Sequence, residues 1–357
     1  MARLRVGIIG TGFGTVVQAP GFMLHPDWEV AALSGVSRPG RAQEQATALG
    51  IPAAYDNYLD MLDHERLDLV SVVSSPDKHL PMTLAALERG IPVLCEKPMA
   101  MNLAEARAMV QGAEQRHLLG VIDHEFRYIP ARAQFKRLVA AGYLGDLLHF
   151  TMTYSMSGGA RHASRPMNWL WQAQSGGGML GAIGSHMIDQ VRWCLGEFRS
   201  VLGMLVTHVN TRSGEPVTAD DGFTFLARMD GNATGVVQFI TAAHHSFGLR
   251  LEAFGTGGTV VLHDQALYAG KAGEPLAEVP VPARFTVPGV TFPDPVDART
   301  PPFTVMAHNL ALALRGGGLA SPVPDVATFR DGAAVQAILD AVRRSHAEDR
   351  WVDVQGV

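Results

Sequence analysis

Short apolar runs alternate with stretches of helical spacing through the first third of the chain. Arg5-Val-Gly-Ile-Ile9 reads as a buried strand, and Gly10-Thr-Gly-Phe-Gly14 follows it as a glycine turn. The pattern then predicts a strand over Val30 to Val36, a helix over Arg41–Leu49 and a strand over Leu67–Val73. A helix over Leu80–Arg89, ended by Gly90, and a strand over Ile91–Cys95 follow. Apolar strands separated by amphipathic helices mean a parallel sheet with helices on both faces.

After Asp123 the period changes. Leu147–Tyr154, Val201–Val209, Phe223–Met229, Thr234–Thr241, Leu249–Phe254 and Thr259–His263 read as successive strands. Asp230-Gly231 and Gly255-Thr-Gly-Gly258 are turn signals between them, so antiparallel pairing is expected. Gly270 to Pro302 reads as a long irregular stretch, and a helix near Val326–Ser345 closes the chain.

At 357 residues the chain exceeds one ordinary core, which predicts two domains. A formal net charge of −5 with mixed signs carries no footprint for nucleic acid. Cys95 and Cys194 are the two cysteines, far apart and in apolar settings. They make neither a disulfide framework nor a zinc spacing, and they point to a reducing compartment. A strand starts almost at once, and no apolar run is long enough to span a bilayer. The expectation is a cytoplasmic protein without signal peptide or membrane partner. His244-His245 has no further ligand pattern, so no metal is expected.

Gly10 and Gly12 stand where a first strand–helix turn lets a pyrophosphate approach the backbone. The third small position falls on Thr15, with Gly14 beside it to share that role. Such a turn, with Thr11 and Phe13 inside it, points to dinucleotide binding. A carboxylate closing the second strand would hold a ribose 2′-hydroxyl. This chain has Ser37-Arg38-Pro39-Gly40-Arg41 there. An arginine fork and a serine hydroxyl suit a 2′-phosphate, so NADP is preferred over NAD.

Cys95-Glu-Lys-Pro98 ends a buried strand in opposite charges. In an open parallel sheet ligands lie beyond the carboxyl ends of the strands. Lys97 there can polarise a reacting oxygen or move a proton, with Glu96 as its counter-charge. Lys97-Pro98 is expected to be cis, because the chain turns sharply there. A surface ion pair is the alternative reading of the two charges.

The spaced set Gly10–Gly14, Ser74-Ser-Pro-Asp-Lys-His79, Cys95–Pro98, Phe126-Arg127, Ser175-Gly-Gly-Gly178, Gly184-Ser-His-Met-Ile-Asp189 and Phe254–Gly258 resembles the Gfo/Idh/MocA family over nearly the full length. The resemblance implies an α/β protein. Residues 1–122 would form a Rossmann dinucleotide-binding domain. Residues 123–357 would form a substrate-binding and oligomerisation α/β domain with a large, mostly antiparallel sheet. It also implies a nicotinamide cofactor, sugar or polyol substrates, and homodimers or homotetramers built through that sheet. Ser74, Ser75 and Pro76 match positions that line the nicotinamide side. His79 either touches the cofactor or sits in a first helical turn.

The glycine run leads into a helix with Leu180, Ile183, Met187, Val191 and Cys194 on its apolar stripe. Ala182, His186, Asp189 and Gln190 fall on another face. His186 is thereby offered to a substrate as general acid or base, a surface or N-terminal-turn histidine being the alternative. Many family members carry an aspartate one turn earlier, where this chain has Ala182. Asp189, Arg127 and Trp169 are the further substrate candidates; Trp169 either stacks on a sugar ring or packs against the domain. Arg161, His162 and Arg165 read as a solvated charged loop. The expected function is hydride transfer between a nicotinamide and a carbinol or carbonyl carbon. The alternative is a non-catalytic sensor of cofactor or sugar on the same fold, which Ala182 favours.

Overall fold

The computed structural model describes residues 2–157, 164, 166–282, 285–316 and 325–356. Arg161, His162 and Arg165 lie outside them. The chain forms two compact units, Met1–Tyr128 with Phe285–Ala333, and Ile129–Arg284 with Ala334–Val357. A single boundary between residues 122 and 123 takes no account of the return of 285–333 to the first unit.

The first unit holds six strands: β1 (Leu4–Ile9), β2 (Trp28–Ser34), β3 (Ala53–Tyr55), β4 (Leu69–Val72), β5 (Val93–Cys95) and β6 (Gly120–Ile122). Every pairing is parallel and the order is β3-β2-β1-β4-β5-β6. The order reverses at β1, which makes the carboxyl ends of β1 and β4 a switch point for ligands. Helices α1 (Ala19–Leu24), α2 (Arg41–Leu49), α3 (Tyr58–His64), α4 (His79–Glu88) and α5 (Leu103–Gln115) connect the strands. The strands are buried almost throughout, because helices cover both faces.

Two sequence features shape the β1–α1 connection. Gly10 has φ of +135°, and a Cβ there would lie 1.9 Å from the Val73 carbonyl oxygen. Only glycine fits that conformation and that space. A Cβ on Gly14 would lie 2.9 Å from Ile8 Cγ2, so Gly14 provides the close strand–helix packing. Thr15 instead turns its hydroxyl back to the Thr11 and Gly12 carbonyls, at 3.2 and 3.1 Å.

Pattern reading passed over one long helix. Helices α6 (Pro130–Ala140) and α7 (Ser185–Leu195) belong to the second unit, but α8 (Thr300–Arg315) packs in the first. Its Phe303, Met306 and Leu310 join the cluster of Phe22 and Trp28. The Phe22 ring meets Trp28 and Phe303 edge-on, at centroid distances of 4.8 and 5.0 Å. Trp28 Nε1 donates to the Ala307 carbonyl at 2.8 Å.

The second unit is built on β7 (Leu147–Ser157), β8 (Phe198–Val206), β11 (Gly222–Met229), β12 (Thr234–Ala243), β13 (Leu249–Gly255), β14 (Gly258–His263), β15 (Ala266–Lys271), β16 (Ala277–Val279) and β17 (Val352–Asp353). A two-strand ribbon, β9 (Thr211–Arg212) and β10 (Glu215–Pro216), stands apart. The nine-stranded order is β16-β15-β14-β13-β7-β12-β11-β8-β17. Pairing is antiparallel except between β7 and β12. Hairpin logic explains the neighbours in sequence; the parallel β7–β12 pair requires the sheet to be seen whole. Phe223, Phe225, Val237 and Phe239 face α6, α7 and the last helix, α9 (Phe329–Glu348). The opposite face pairs Leu226 with Leu202 and Val236, and Met204 and Leu226 are exposed there.

Candidate active site

Five neighbouring strand ends define the site in the first unit. β1 ends in the Gly10–Gly14 turn, where a Cβ on Gly12 would meet nothing within 4 Å. The backbone above that turn is open, as a phosphate-bearing ligand requires. Thr11 is buried and Phe13 half-buried. The Arg299 guanidinium lies 5.2 Å from the Phe13 ring centroid, held by a two-pronged ion pair to Asp297 at 2.9 and 2.6 Å. That pair holds the Asp297 carboxyl down at about 2.

Beyond β2, Ser37 and Arg38 are exposed. Arg38 forms an ion pair with Glu44, and Arg41 reaches the Thr11 carbonyl at 3.4 Å. A carboxylate does stand beside this loop, but it comes from the neighbouring strand: Asp56 accepts the Gly40 N–H at 2.8 Å.

β4 leads to Ser74 and Ser75, both half-buried, and to buried Pro76. His79 is fully buried, with Nε2 on the Ser74 carbonyl at 3.0 Å and Nδ1 on those of Pro98 and Met99 at 3.1 and 3.2 Å. Burial pushes its pKa down. His79 opens α4, the first-turn reading of the two, and its buried ring lies between the Ser74 and Pro98 loops.

β5 delivers Glu96 and Lys97, and the Lys97–Pro98 peptide is cis as expected. Glu96 is buried and Lys97 half-buried. Glu96 Oε2 accepts the Lys97 backbone N–H at 3.1 Å, and Oε1 accepts from Gln18 at 2.9 Å. Gln18 also donates to Asp123 at 2.8 Å and takes the Ser71 hydroxyl proton on its oxygen. Asp123 and Glu125, beyond β6, complete a buried acidic corner facing Lys97. Burial first, then the Glu96 charge, pushes Asp123 well above the usual carboxylate range and Glu125 up to about 7. None of Gln18, Ser71, Asp123 and Glu125 was singled out from sequence. One signal was present: Asp123-His124-Glu125 repeats the pattern of charges where a buried strand stops.

Arg127 is 5 % exposed and bonds Asp331 at 3.3 Å, while Asp331 accepts the Thr328 N–H at 2.8 Å. The guanidinium thereby secures the start of α9 within the first unit, a structural role.

The second unit supplies the glycine run. Gly178 has φ of +111°, and a Cβ there would lie 2.2 Å from Asp220 Oδ1. Asp220 Oδ2 accepts the Leu180 N–H at 2.7 Å. Asp220 thus anchors the π-helical turn Leu180–Gly184, which carries Ala182 and runs directly into α7. His186 and Asp189 are 4 % and 2 % exposed, so His186 is not a surface residue, and it lies in the N-terminal turn of α7. Beside them Ser185 Oγ and Gln190 Oε1 are buried without a hydrogen-bond partner. Trp169 is partly exposed in a turn capped by Asn168, while Trp171 is buried under the Arg212 guanidinium at 3.5 Å. Among the described residues no group of three or more His, Cys, Asp or Glu is placed to hold a metal ion. No helix among them is long and apolar enough to cross a membrane.

A doubly wound parallel sheet, a glycine turn at its switch point and a lysine at the carboxyl end of β5 define a nucleotide-binding oxidoreductase of the Rossmann class. Residues 4–124 match the family model of the oxidoreductases with an NAD-binding Rossmann fold, and residues 133–261 match the GFO/IDH/MocA C-terminal domain. The chain belongs to the Gfo/Idh/MocA oxidoreductase family. Levoglucosan dehydrogenase of Pseudarthrobacter phenanthrenivorans is 28 % identical, with 99 % of each chain covered. An uncharacterised oxidoreductase of Synechocystis is 28 % identical over 99 % of this chain and 96 % of that protein. A solved structure of levoglucosan dehydrogenase with NADH aligns at TM-score 0.88 and 27 % identity, covering 99 % of this chain and all of that one. The complex with NADH and levoglucosan aligns at 0.87 over the same shares. The protein is an oxidoreductase that uses a nicotinamide cofactor.

Proposed function

We propose that the protein oxidises a carbinol carbon of a sugar, anhydrosugar or polyol, or reduces the matching carbonyl. The observation that carries this reading is Lys97, at the carboxyl end of β5 in the same parallel sheet whose β1 ends in the glycine turn. A relative that aligns over the whole chain is named for levoglucosan. The residues present suit a dinucleotide: Gly10 and Gly14 make the tight turn, Gly12 leaves it open, and Ser74, Ser75 and Pro76 border the next strand end. The nicotinamide, when bound, supplies the carbon that accepts or returns the hydride. Lys97 hydrogen-bonds the reacting oxygen and stabilises the charge that builds on it. His186 takes the hydroxyl proton as the hydride leaves the same carbon, and returns it in the reverse direction. Glu96 holds the Lys97 backbone through the carboxylate–amide bond. Asp189 and Trp169 contact substrate. The orphaned Ser185 and Gln190 atoms suit a ligand rich in hydroxyls.

The finer assignments belong to the same proposal. NADP(H) is preferred, because Ser37, Arg38 and Arg41 stand where an acid would exclude a 2′-phosphate; Arg38 then exchanges Glu44 for that phosphate. The chain acts in the cytoplasm. It forms a homodimer or homotetramer through the open sheet face, where Met204 and Leu226 lie exposed beside Leu202, Val236 and Ile240. Of the two expectations, the family and its NADH-bound relatives favour the enzyme over the sensor without turnover that Ala182 suggested. Turnover of a sugar, anhydrosugar and polyol panel with both cofactors separates the two. Reduction of NADP⁺ or NAD⁺ by any member supports the enzyme, and cofactor binding without turnover of any member supports the sensor.

A further inference from the structure

The ends of β1, β4, β5 and β6 bring together buried groups that hydride transfer itself does not use. Gln18 is fully buried, and its amide nitrogen gives one hydrogen to Glu96 and the other to Asp123. The Ser71 hydroxyl donates to the amide oxygen, which sets the sense of that amide. One Gln18 nitrogen reaches an oxygen of each, so the Glu96 and Asp123 carboxyls lie side by side, and Glu125 is a third acid acting on Asp123. A hydrogen bond between two carboxyl groups requires a proton on one of them. Asp123 is inaccessible to solvent, so two bare carboxylates there would repel without water to screen them.

The charged and titratable neighbours are divided. Lys97 faces Asp123 and Glu125 and favours their ionisation. Arg299, from the segment before α8, faces Glu96 and Glu125. His79 on α4 faces Glu96, and the Cys95 thiol faces both Glu96 and Asp123. Tyr128 faces Asp123. Cys95, Tyr128 and His79 are buried, and Lys97 and Arg299 are cations set against the three acids.

We propose that Glu96 and Asp123 share one proton in a pair clamped by Gln18, and that Asp123 is thereby a positioning residue that limits the negative charge set against Lys97. With the proton the pair carries one negative charge; without it, two. The second charge offsets the positive field that Lys97 presents to the reacting oxygen and so weakens its stabilisation of the charge that builds there. Loss of the shared proton therefore appears as an alkaline limb in the turnover rate. The link to turnover rests on the catalytic role of Lys97 proposed above. The shared proton does not.

Infrared spectroscopy of the full-length protein tests the proton directly, at about pH 8, roughly one unit above the value at which Glu125 itself ionises. The parent is expected to show the carbonyl stretch of a buried carboxylic acid. Asp123→Asn is expected to lose it while keeping the side-chain size and an oxygen for Gln18. Glu96→Gln is expected to lose it as well, and decides the matter if Asp123→Asn does not fold. Absence of the band in the parent, or its survival in either folded variant, overturns the shared proton. The pH profile of kcat tests the positioning role. Asp123→Asn should move the alkaline limb by about one pH unit or more, the size that marks coupled sites. A profile superimposable on the parent overturns that role. If the parent turns over no substrate of the panel, the functional reading fails and the role at Lys97 falls with it, while the infrared result still decides the proton.

Discussion

Replacing Glu125 by glutamine should change how stability depends on pH. Glu125 is buried, and its carboxyl is raised from 4.5 to about 7, by desolvation first and the Glu96 charge second. A group whose folded value lies above its unfolded one holds its proton more tightly in the native state. Its contribution to stability is then fully present below about 4.5 and is lost as pH rises through about 7. The difference of roughly 2.5 units corresponds to about 3 kcal/mol, at about 1.4 kcal/mol per unit. That is a large share of the roughly 5–15 kcal/mol that holds a typical protein folded. The glutamine of Glu125→Gln does not titrate, and its neutral side chain also relieves the charge on Glu96 and Asp123. Urea unfolding of parent and variant at a series of pH values isolates the effect of this acidic corner, because the titrating groups away from it cancel in the difference. The variant should gain on the parent by about 3 kcal/mol between the two pH limits. A stability difference that stays constant with pH, or shrinks as pH rises, would refute the reasoning.

Other outcomes follow from single contacts. Gly10→Ala places a methyl group against the Val73 carbonyl at positive φ, so it should cost about 1–3 kcal/mol of stability and abolish tight NADH binding by fluorescence titration. Asp220→Ala removes the acceptor of the Leu180 N–H and should cost about 1–3 kcal/mol in urea unfolding, largely restored by Asp220→Asn. Arg38→Ala should weaken NADPH binding and leave NADH binding nearly unchanged; equal losses for both cofactors would remove Arg38 from 2′-phosphate recognition.

Much of the fold was legible because each half has one dominant period. Uniformly apolar strands marked the parallel sheet, and alternation marked the antiparallel one. The predicted helix over Arg41–Leu49 and the strand over Thr259–His263 fall within a residue of the observed elements. β3 and β6 span three residues each, too short for a period to show. α8 carries Phe303, Met306, Ala307, Leu310 and Ala311 at helical spacing, a readable signal hidden by the two prolines of its first turn. Lys97 and the glycine turn were legible because each breaks a run. Gln18 was not, since it looks like any polar residue in a helix until β1, β4, β5 and β6 are laid side by side. The roles of His79 and Arg127 stayed open for the converse reason: a motif marks where a residue sits, and only its hydrogen-bond partners show whether it faces a ligand or the protein.

The most direct measurement follows nicotinamide absorbance as the parent, Lys97→Met and His186→Asn meet the sugar, anhydrosugar and polyol panel with each cofactor. The account predicts that the parent oxidises at least one compound and that Lys97→Met loses turnover while still binding cofactor. His186→Asn should be slower by a factor of about 10²–10⁴, the usual scale of a general acid–base contribution. Full turnover by Lys97→Met, or a parent that binds cofactor yet oxidises and reduces nothing in the panel, would contradict it.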